Sequence, residues 1–211
     1  MALIENLIKD GWLRTANIID AFRRVKRIDF LPEDIKDLAE LNEALPIGYG
    51  QTISQPLVVA FMLELLKPKK GDKILDIGSG SGWTTALLSH IVGSEGKVIA
   101  IEIVSELKNF GEENVSKYGF HESGVAEFYN IDGSKGYPDI SLRSELSEGF
   151  DGILASASAQ KIPNSWKKQL KIGGRIVAPV KSSIWLIIKE SEKIFDEREY
   201  PGFAFVPLIS N

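Results

Sequence analysis

The chain has 211 residues, enough for one hydrophobic core and too few for two full domains. Apolar residues make up 44% and charged residues 26%, a globular balance that excludes a disordered, collagen-like or disulfide-built chain. Lys and Arg number 25 against 29 Asp and Glu, so the net charge of −4 does not suit a general nucleic-acid binder, and the absence of cysteine excludes a thiolate nucleophile and the common Cys-based zinc sites.

The N-terminus carries Glu5, Lys9 and Asp10, with no basic segment leading into an unbroken apolar run, so no signal peptide is expected. Apolar stretches fall well below the roughly 20 residues of a membrane span, and a cytoplasmic, monomeric protein without membrane contact is the expectation. Residues 1–47 predict short helices. Ile18, Ile19, Phe22 and Val25 recur at helical spacing after a candidate Thr15 cap, and Arg23, Arg24, Lys26 and Arg27 are read as a solvated cationic end. Residues 48–55, Gly-Tyr-Gly-Gln-Thr-Ile-Ser-Gln, predict a polar loop, and Pro56 suits the first turn of a helix over 57–66.

From Gly71 the pattern alternates. Strands are predicted at 73–77, 97–101, 125–129 and 151–155, with helices at 83–92, 104–118 and 163–170. Later strands at 175–180 and 183–189, with a β-prone end at 203–209, follow with no intervening helix. Such alternation implies a doubly wound α/β sheet, mostly parallel, with an antiparallel edge.

The strongest local signal is Asp76-Ile-Gly-Ser-Gly-Ser-Gly82, set between a predicted strand and helix. Gly78, Gly80 and Gly82 remove Cβ atoms where the chain turns sharply and where a ligand meets the backbone, and Ser79 lies among them. The spacing G-x-G-x-G departs from the dinucleotide fingerprint and lacks a P-loop ending, which weakens nicotinamide and triphosphate assignments. Glu102, at the end of the second strand, is placed to accept from both hydroxyls of a ribose; the alternative is an ordinary surface glutamate. Asp132-Gly133 follows the third strand and is either a partner for an adenine amino group or a simple turn.

These three strand ends, in this order, resemble the class I S-adenosylmethionine-dependent methyltransferases, with their Rossmann-like sheet. Leu45-Pro-Ile-Gly-Tyr-Gly-Gln-Thr-Ile-Ser-Gln-Pro56 further resembles the signature of the protein-L-isoaspartate O-methyltransferases, and the resemblance continues through Phe150-Asp151, Gly173-Gly174-Arg175 and Phe205-Val-Pro-Leu208. It implies one domain over 1–211, with residues 1–56 forming a helical cover and acceptor loop and 57–211 a cofactor-binding core. It implies S-adenosyl-L-methionine held by Asp76, Gly78, Ser79, Gly80, Gly82, Glu102, Asp132 and Gly133. It implies an isoaspartyl acceptor in damaged proteins and peptides, bound by Thr52, Ile53, Ser54 and Ser156, with Ser54 as the catalytic hydroxyl and no metal. The methyl ester would close to a succinimide that reopens partly as aspartate.

On the residues alone, Thr52 and Ser54 could instead cap the helix at Pro56. Two rivals stay open: a methyltransferase of the same fold acting on another peptide carboxylate, and a non-catalytic adenosine-binding module. Trp83, Ser156-Ala-Ser-Ala-Gln160 and Lys181-Ser-Ser-Ile-Trp185 depart from the family's usual pattern. His90 and His121 show no metal spacing, and Trp12, Trp166 and Trp185 are expected to pack.

Overall fold

In the computed structural model, which describes residues 2–138 and 144–210, helices α1 (Ala2–Lys9) and α2 (Ala16–Arg24) precede two 3-10 turns, Arg27–Phe30 and Glu33–Leu38. Thr15 stands at the N-cap of α2 without a side-chain cap bond. Its Oγ1 donates instead to Glu64 Oε2 at 2.7 Å, and the N–H groups of Arg14 and Thr15 each donate to Glu64 Oε1 at 2.8 Å. Glu64 is buried, so this trio of donors satisfies a carboxylate that would otherwise be costly to desolvate and closes the α1–α2 connection onto the core.

The loop expected at 48–55 is a hairpin instead. Strand β1 (Leu45–Gly48) pairs antiparallel with β2 (Gln51–Ile53). Tyr49 and Gly50 turn the chain at φ of 54° and 70°, the positive-φ pair that matches strand twist in a tight hairpin. Leu45, Ile47 and Ile53 point inward, but the strands are too short and glycine-rich for periodicity to reveal them. Pro56 then opens helix α3 (Pro56–Leu66), as its fixed φ and missing N–H favour.

Strands β3 (Lys73–Ile77), β4 (Lys97–Glu102), β5 (Ala126–Asn130) and β6 (Phe150–Ala155) lie within a residue of their expected bounds, with α4 (Trp83–Val92) and α5 (Ser105–Ser116) between them. Helix α6 (Asn164–Gln169) stops early because β7 (Leu170–Val180) begins at Leu170 rather than Arg175. Strand β8 (Ser183–Lys189) falls as expected, but the last strand is β9 (Phe195–Pro201), not 203–209. Its sequence FDEREYP is a charged edge strand, so it lacks the apolar alternation that marks a half-buried one. Gly202, at φ 98°, ends it; the segment beyond runs extended and meets the sheet region through the Ser158–Pro207 bridge.

The sheet order is β5-β4-β3-β6-β7-β8-β9, parallel from β5 to β7 and antiparallel from β7 to β9. The winding direction reverses between β3 and β6, and ligands of open α/β sheets bind beyond the carboxyl ends of the strands at such a point. Alternate side chains feed two cores. Val98 and Ala100 pack with the N-terminal helices, α3, α4 and α5, whereas Ile99 and Ile101 pack with Tyr137, Leu146 and Trp166. Short α6 and 3-10 turns cover this second face.

Candidate active site

A cleft of about 730 Å³, part of it open to solvent, lies at the switch point. Its floor is the β3–α4 turn from Gly78 to Ser81; Ile101 to Val104, Gly133, Ser156 and Ala157 line its sides. The turn is held from below: the N–H groups of Gly78 and Ser79 donate to Ile101 O at 2.8 and 3.1 Å. Gly78, Gly80 and Gly82 have φ of 73°, 51° and 84°, which disfavours a side chain at each. At Gly82 space also decides, because a Cβ would lie 2.6 Å from Gly111 O in α5. Gly82 therefore lets α5 pack against the turn, while Gly78 and Gly80 shape the cleft itself.

Glu102, buried at 6% exposure, accepts from Gly80 N at 2.9 Å through Oε2 and from Val104 N at 3.0 Å through Oε1. It ties the glycine turn to its own strand end. A carboxylate has about four acceptor positions, so capacity remains for ligand hydroxyls. Asp76 sits under the turn and is fully buried; its Oδ2 accepts from Thr84 Oγ1 at 3.0 Å and Thr85 Oγ1 at 2.6 Å. Burial pushes its pKa up to about 6, against the opposing pull of the two hydroxyls and helped by the nearby charge of Glu102. Asp76 thus braces the start of α4. The Asp132 carboxylate caps the Gly133–Lys135 turn, accepting from Ser134 N at 2.9 Å, while Gly133 lines the cleft. Trp166, fully buried, donates its Nε1–H to Gly133 O at 2.8 Å and so supports that wall.

A second opening adjoins the first. Thr52, Ser54, Ser156 and Val206 line both, and Ala44, Gln55, Val58, Ala204 and Phe205 complete the outer one. Hairpin residue Ile53 also lines the inner cleft. Thr52, Ser54, Ser156 and Val206 thus stand where the two openings meet. Neither histidine is among the described residues that line the cleft: His90 Nε2 lies 2.7 Å from Asp20 Oδ2, and His121 Nδ1 lies 3.7 Å from Glu112 Oε1.

One residue corrects the expectation of a solvated cationic run. Arg23, Arg24 and Lys26 are exposed, but Arg27 is buried at 6% exposure. Burial lowers its pKa to about 10, so it stays charged at neutral pH. Its Nη1 donates to Ala39 O and Leu41 O at 3.2 and 2.9 Å, and its Nη2 to Glu43 O and Ser54 O at 2.7 and 3.3 Å. The guanidinium also lies 5.5 Å from the ring centroid of Trp83. The available signal was alternation: Val25, Arg27 and the buried parity of the chain after α2, a pattern too short to stand out from a run of cations.

The residues present fit an adenosyl ligand. The cradle is glycine-lined, a buried carboxylate keeps free acceptor capacity, and two buried polar atoms of the lining residues, Ser79 Oγ and Trp83 Nε1, have no partner within the protein. A parallel sheet with this turn at its switch point and an acidic residue at the neighbouring strand end defines an S-adenosylmethionine-dependent methyltransferase. Comparison with known proteins narrows the class. The model of the protein-L-isoaspartate(D-aspartate) O-methyltransferase family matches residues 1–211, and the chain belongs to that family. It is 39% identical over 211 residues to the protein-L-isoaspartate O-methyltransferase of Methanopyrus kandleri, covering 98% of this chain and 89% of the relative. It is 40% identical over 208 residues to that of Flavobacterium psychrophilum, covering 97% and 92%. A solved protein-L-isoaspartate O-methyltransferase aligns with a TM-score of 0.86 at 25% identity, over 100% of this chain and 66% of the other. A Plasmodium falciparum chain named for the same methyltransferase, crystallised with S-adenosyl-L-homocysteine, aligns with a TM-score of 0.83 at 23% identity, over 100% and 98%. Methyltransferases of this family use S-adenosylmethionine. Among the described residues, no helix is long and apolar enough to cross a membrane.

Proposed function

We propose that the chain methylates the free α-carboxylate of L-isoaspartyl residues in damaged polypeptides, with Ser54 orienting the acceptor. The observation that carries this assignment is the meeting of the two openings at Thr52, Ser54 and Ser156, so that an acceptor entering from outside reaches the cleft behind. When bound, S-adenosylmethionine supplies a methyl group already activated on a sulfonium. Gly78 to Ser81 cradle that ligand and Glu102 accepts from its ribose hydroxyls; Asp76 acts beneath them by bracing α4. Asp132 holds the Gly133 wall beside the adenine.

On the acceptor side the task is alignment. An α-carboxyl has a reference pKa of about 3.3–3.7, so the attacking oxygen carries its charge at neutral pH without a general base. The hydroxyls of Ser54 and Thr52 donate to this carboxylate and fix one of its oxygens in line with the transferred carbon. The backbone of Ile53 and the Ser156 side of the mouth confine the polypeptide. A new O–CH3 bond forms as the C–S bond breaks, and the sulfur leaves as a neutral thioether. The test is Ser54→Ala. One orienting hydrogen bond lost from the transition state lowers kcat by about 10- to 1000-fold, while S-adenosylhomocysteine binds as before. A parallel loss of S-adenosylhomocysteine affinity would make Ser54 a support of the fold and overturn its role at the acceptor.

A further inference from the structure

Four of the five N–H donors of Arg27 go to carbonyl oxygens, and those carbonyls lie on two separate pieces of chain. Three belong to a strap, residues 39–43, that follows the second 3-10 turn; the fourth is the carbonyl of Ser54 itself. The strap is fastened from its other side as well. Asn42 O accepts from Gln55 Nε2 at 2.8 Å, and Asn42 Oδ1 accepts from Leu57 N at 3.0 Å. Gln55 and Leu57, which follow Ser54, are therefore tied to the strap, and Arg27 ties the strap and Ser54 to one buried fork. That fork is seated on the ring of Trp83, the first residue of α4 and part of the cleft lining, against which Phe22 also packs edge-on at 5.6 Å.

The arrangement needs an arginine in particular. A planar guanidinium presents donors in fixed directions and reaches several carbonyls at once, whereas an ammonium is a single point with three donors. Carbonyls of an irregular strap have no ladder partners, so the fork that donates to three of them, the buried Ala39 carbonyl included, also sets their geometry. The bond to Ser54 O is the longest of the four, so the strap shares the work of holding this residue.

We propose that Arg27 is a positioning residue for methyl transfer: through the strap at 39–43 and the Ser54 carbonyl it fixes the Ser54 side chain relative to the cofactor cleft floored by Trp83 and the glycine turn. This rests on the role of Ser54 proposed above. Arg27 touches neither substrate nor cofactor; it acts through Ser54, and the unpaired Nε is the one donor it leaves unused.

Arg27→Lys isolates the fork, because it keeps a cation over Trp83 and loses the fixed multiple donation. The experiment measures kcat and KM for an isoaspartyl peptide, and S-adenosylhomocysteine affinity by calorimetry, in wild type, Ser54→Ala, Arg27→Lys and the double variant. Arg27→Lys should lower kcat by about 10- to 100-fold in the wild-type background, and by less than about threefold when Ser54 is already alanine, since residues acting as a unit are not additive. S-adenosylhomocysteine affinity should stay within about threefold throughout. A merely structural arginine would give the same factor in both backgrounds, and that result overturns the proposal; so does a wild-type kcat in Arg27→Lys. A Ser54→Ala variant with unimpaired kcat removes the acceptor role of Ser54 and this inference with it, whereas additivity removes this inference alone. Asn42→Ala loosens the strap from the opposite side without touching the buried charge. It should repeat the pattern on a smaller scale even if Arg27→Lys does not fold, and an additive or absent effect there counts equally against the proposal.

Discussion

Replacing Glu102 with alanine separates a ligand-binding carboxylate from a purely structural one. In the structure its two oxygens accept from Gly80 N and Val104 N at 2.9 and 3.0 Å, which leaves about two acceptor positions for ribose hydroxyls. Hydrogen bonds to a charged acceptor contribute about 1.5–3 kcal/mol, and their loss corresponds to a Kd higher by about 10- to 150-fold. The two backbone N–H groups are released as well, so a lower Tm is expected in any case and cannot decide the question. The deciding assay is calorimetry with two ligands, S-adenosylhomocysteine and its analogue lacking both ribose hydroxyls. Wild type should bind the analogue at least about tenfold more weakly than the parent, and Glu102→Ala should bind the two with nearly equal affinity. If the variant discriminates between them as strongly as wild type does, Glu102 only staples the glycine turn and the ribose assignment is wrong.

Gly82→Ala should destabilise by at least about 2 kcal/mol, combining the cost of a side chain at positive φ with a Cβ set 2.6 Å from Gly111 O. Gly11→Ala, at φ 78° with nothing within 4 Å, carries the backbone cost alone, so urea melts giving equal losses for the two would refute the close approach of α5 to the turn. Asp76 titrates at about 6 in the fold against 3.8 for an exposed aspartate, so between these values the folded state holds the extra proton. Its contribution to stability is therefore lost as pH rises from about 4 to about 6, by an amount on the order of 3 kcal/mol. Denaturant melts of Asp76→Asn should gain on wild type by that order between pH 4 and pH 7, and a constant difference between the two proteins would contradict the burial of an unmatched carboxylate.

Much of the core was legible because its signals are local. The alternation from Lys73 to Ala155 marks buried parallel strands, and the Asp76–Gly82 turn marks the cleft at the switch point through three glycines of positive φ. What could not be read depends on tertiary partners. The hairpin at 45–53 is held by burial of Leu45, Ile47 and Ile53 beneath a two-residue turn, and β9 is an edge strand whose charges conceal its pairing with β8. Thr15 looked like a helix cap but serves a buried glutamate 49 residues away. Arg27 reads as one cation in a run and is instead the buried tie between the 39–43 segment and Ser54, because its carbonyl partners meet only once the strap has folded back. The capping bond from Ser134 N to Asp132 and the place of Gly133 in the cleft lining likewise need the folded turn to be seen.

The central claim is that the mouth at Thr52, Ser54 and Ser156 admits an isoaspartyl carboxylate and aligns it for methylation. Paired peptides identical except for Asp or isoAsp at one position, incubated with methyl-labelled S-adenosylmethionine, test it most directly. The two acceptors differ in which carboxylate hangs from the backbone, so a site that fixes both chain and carboxylate must tell them apart. The account predicts base-labile methyl ester on the isoAsp peptide and none above background on its Asp twin. Comparable initial rates on both peptides, or no methyl ester on either, would contradict it.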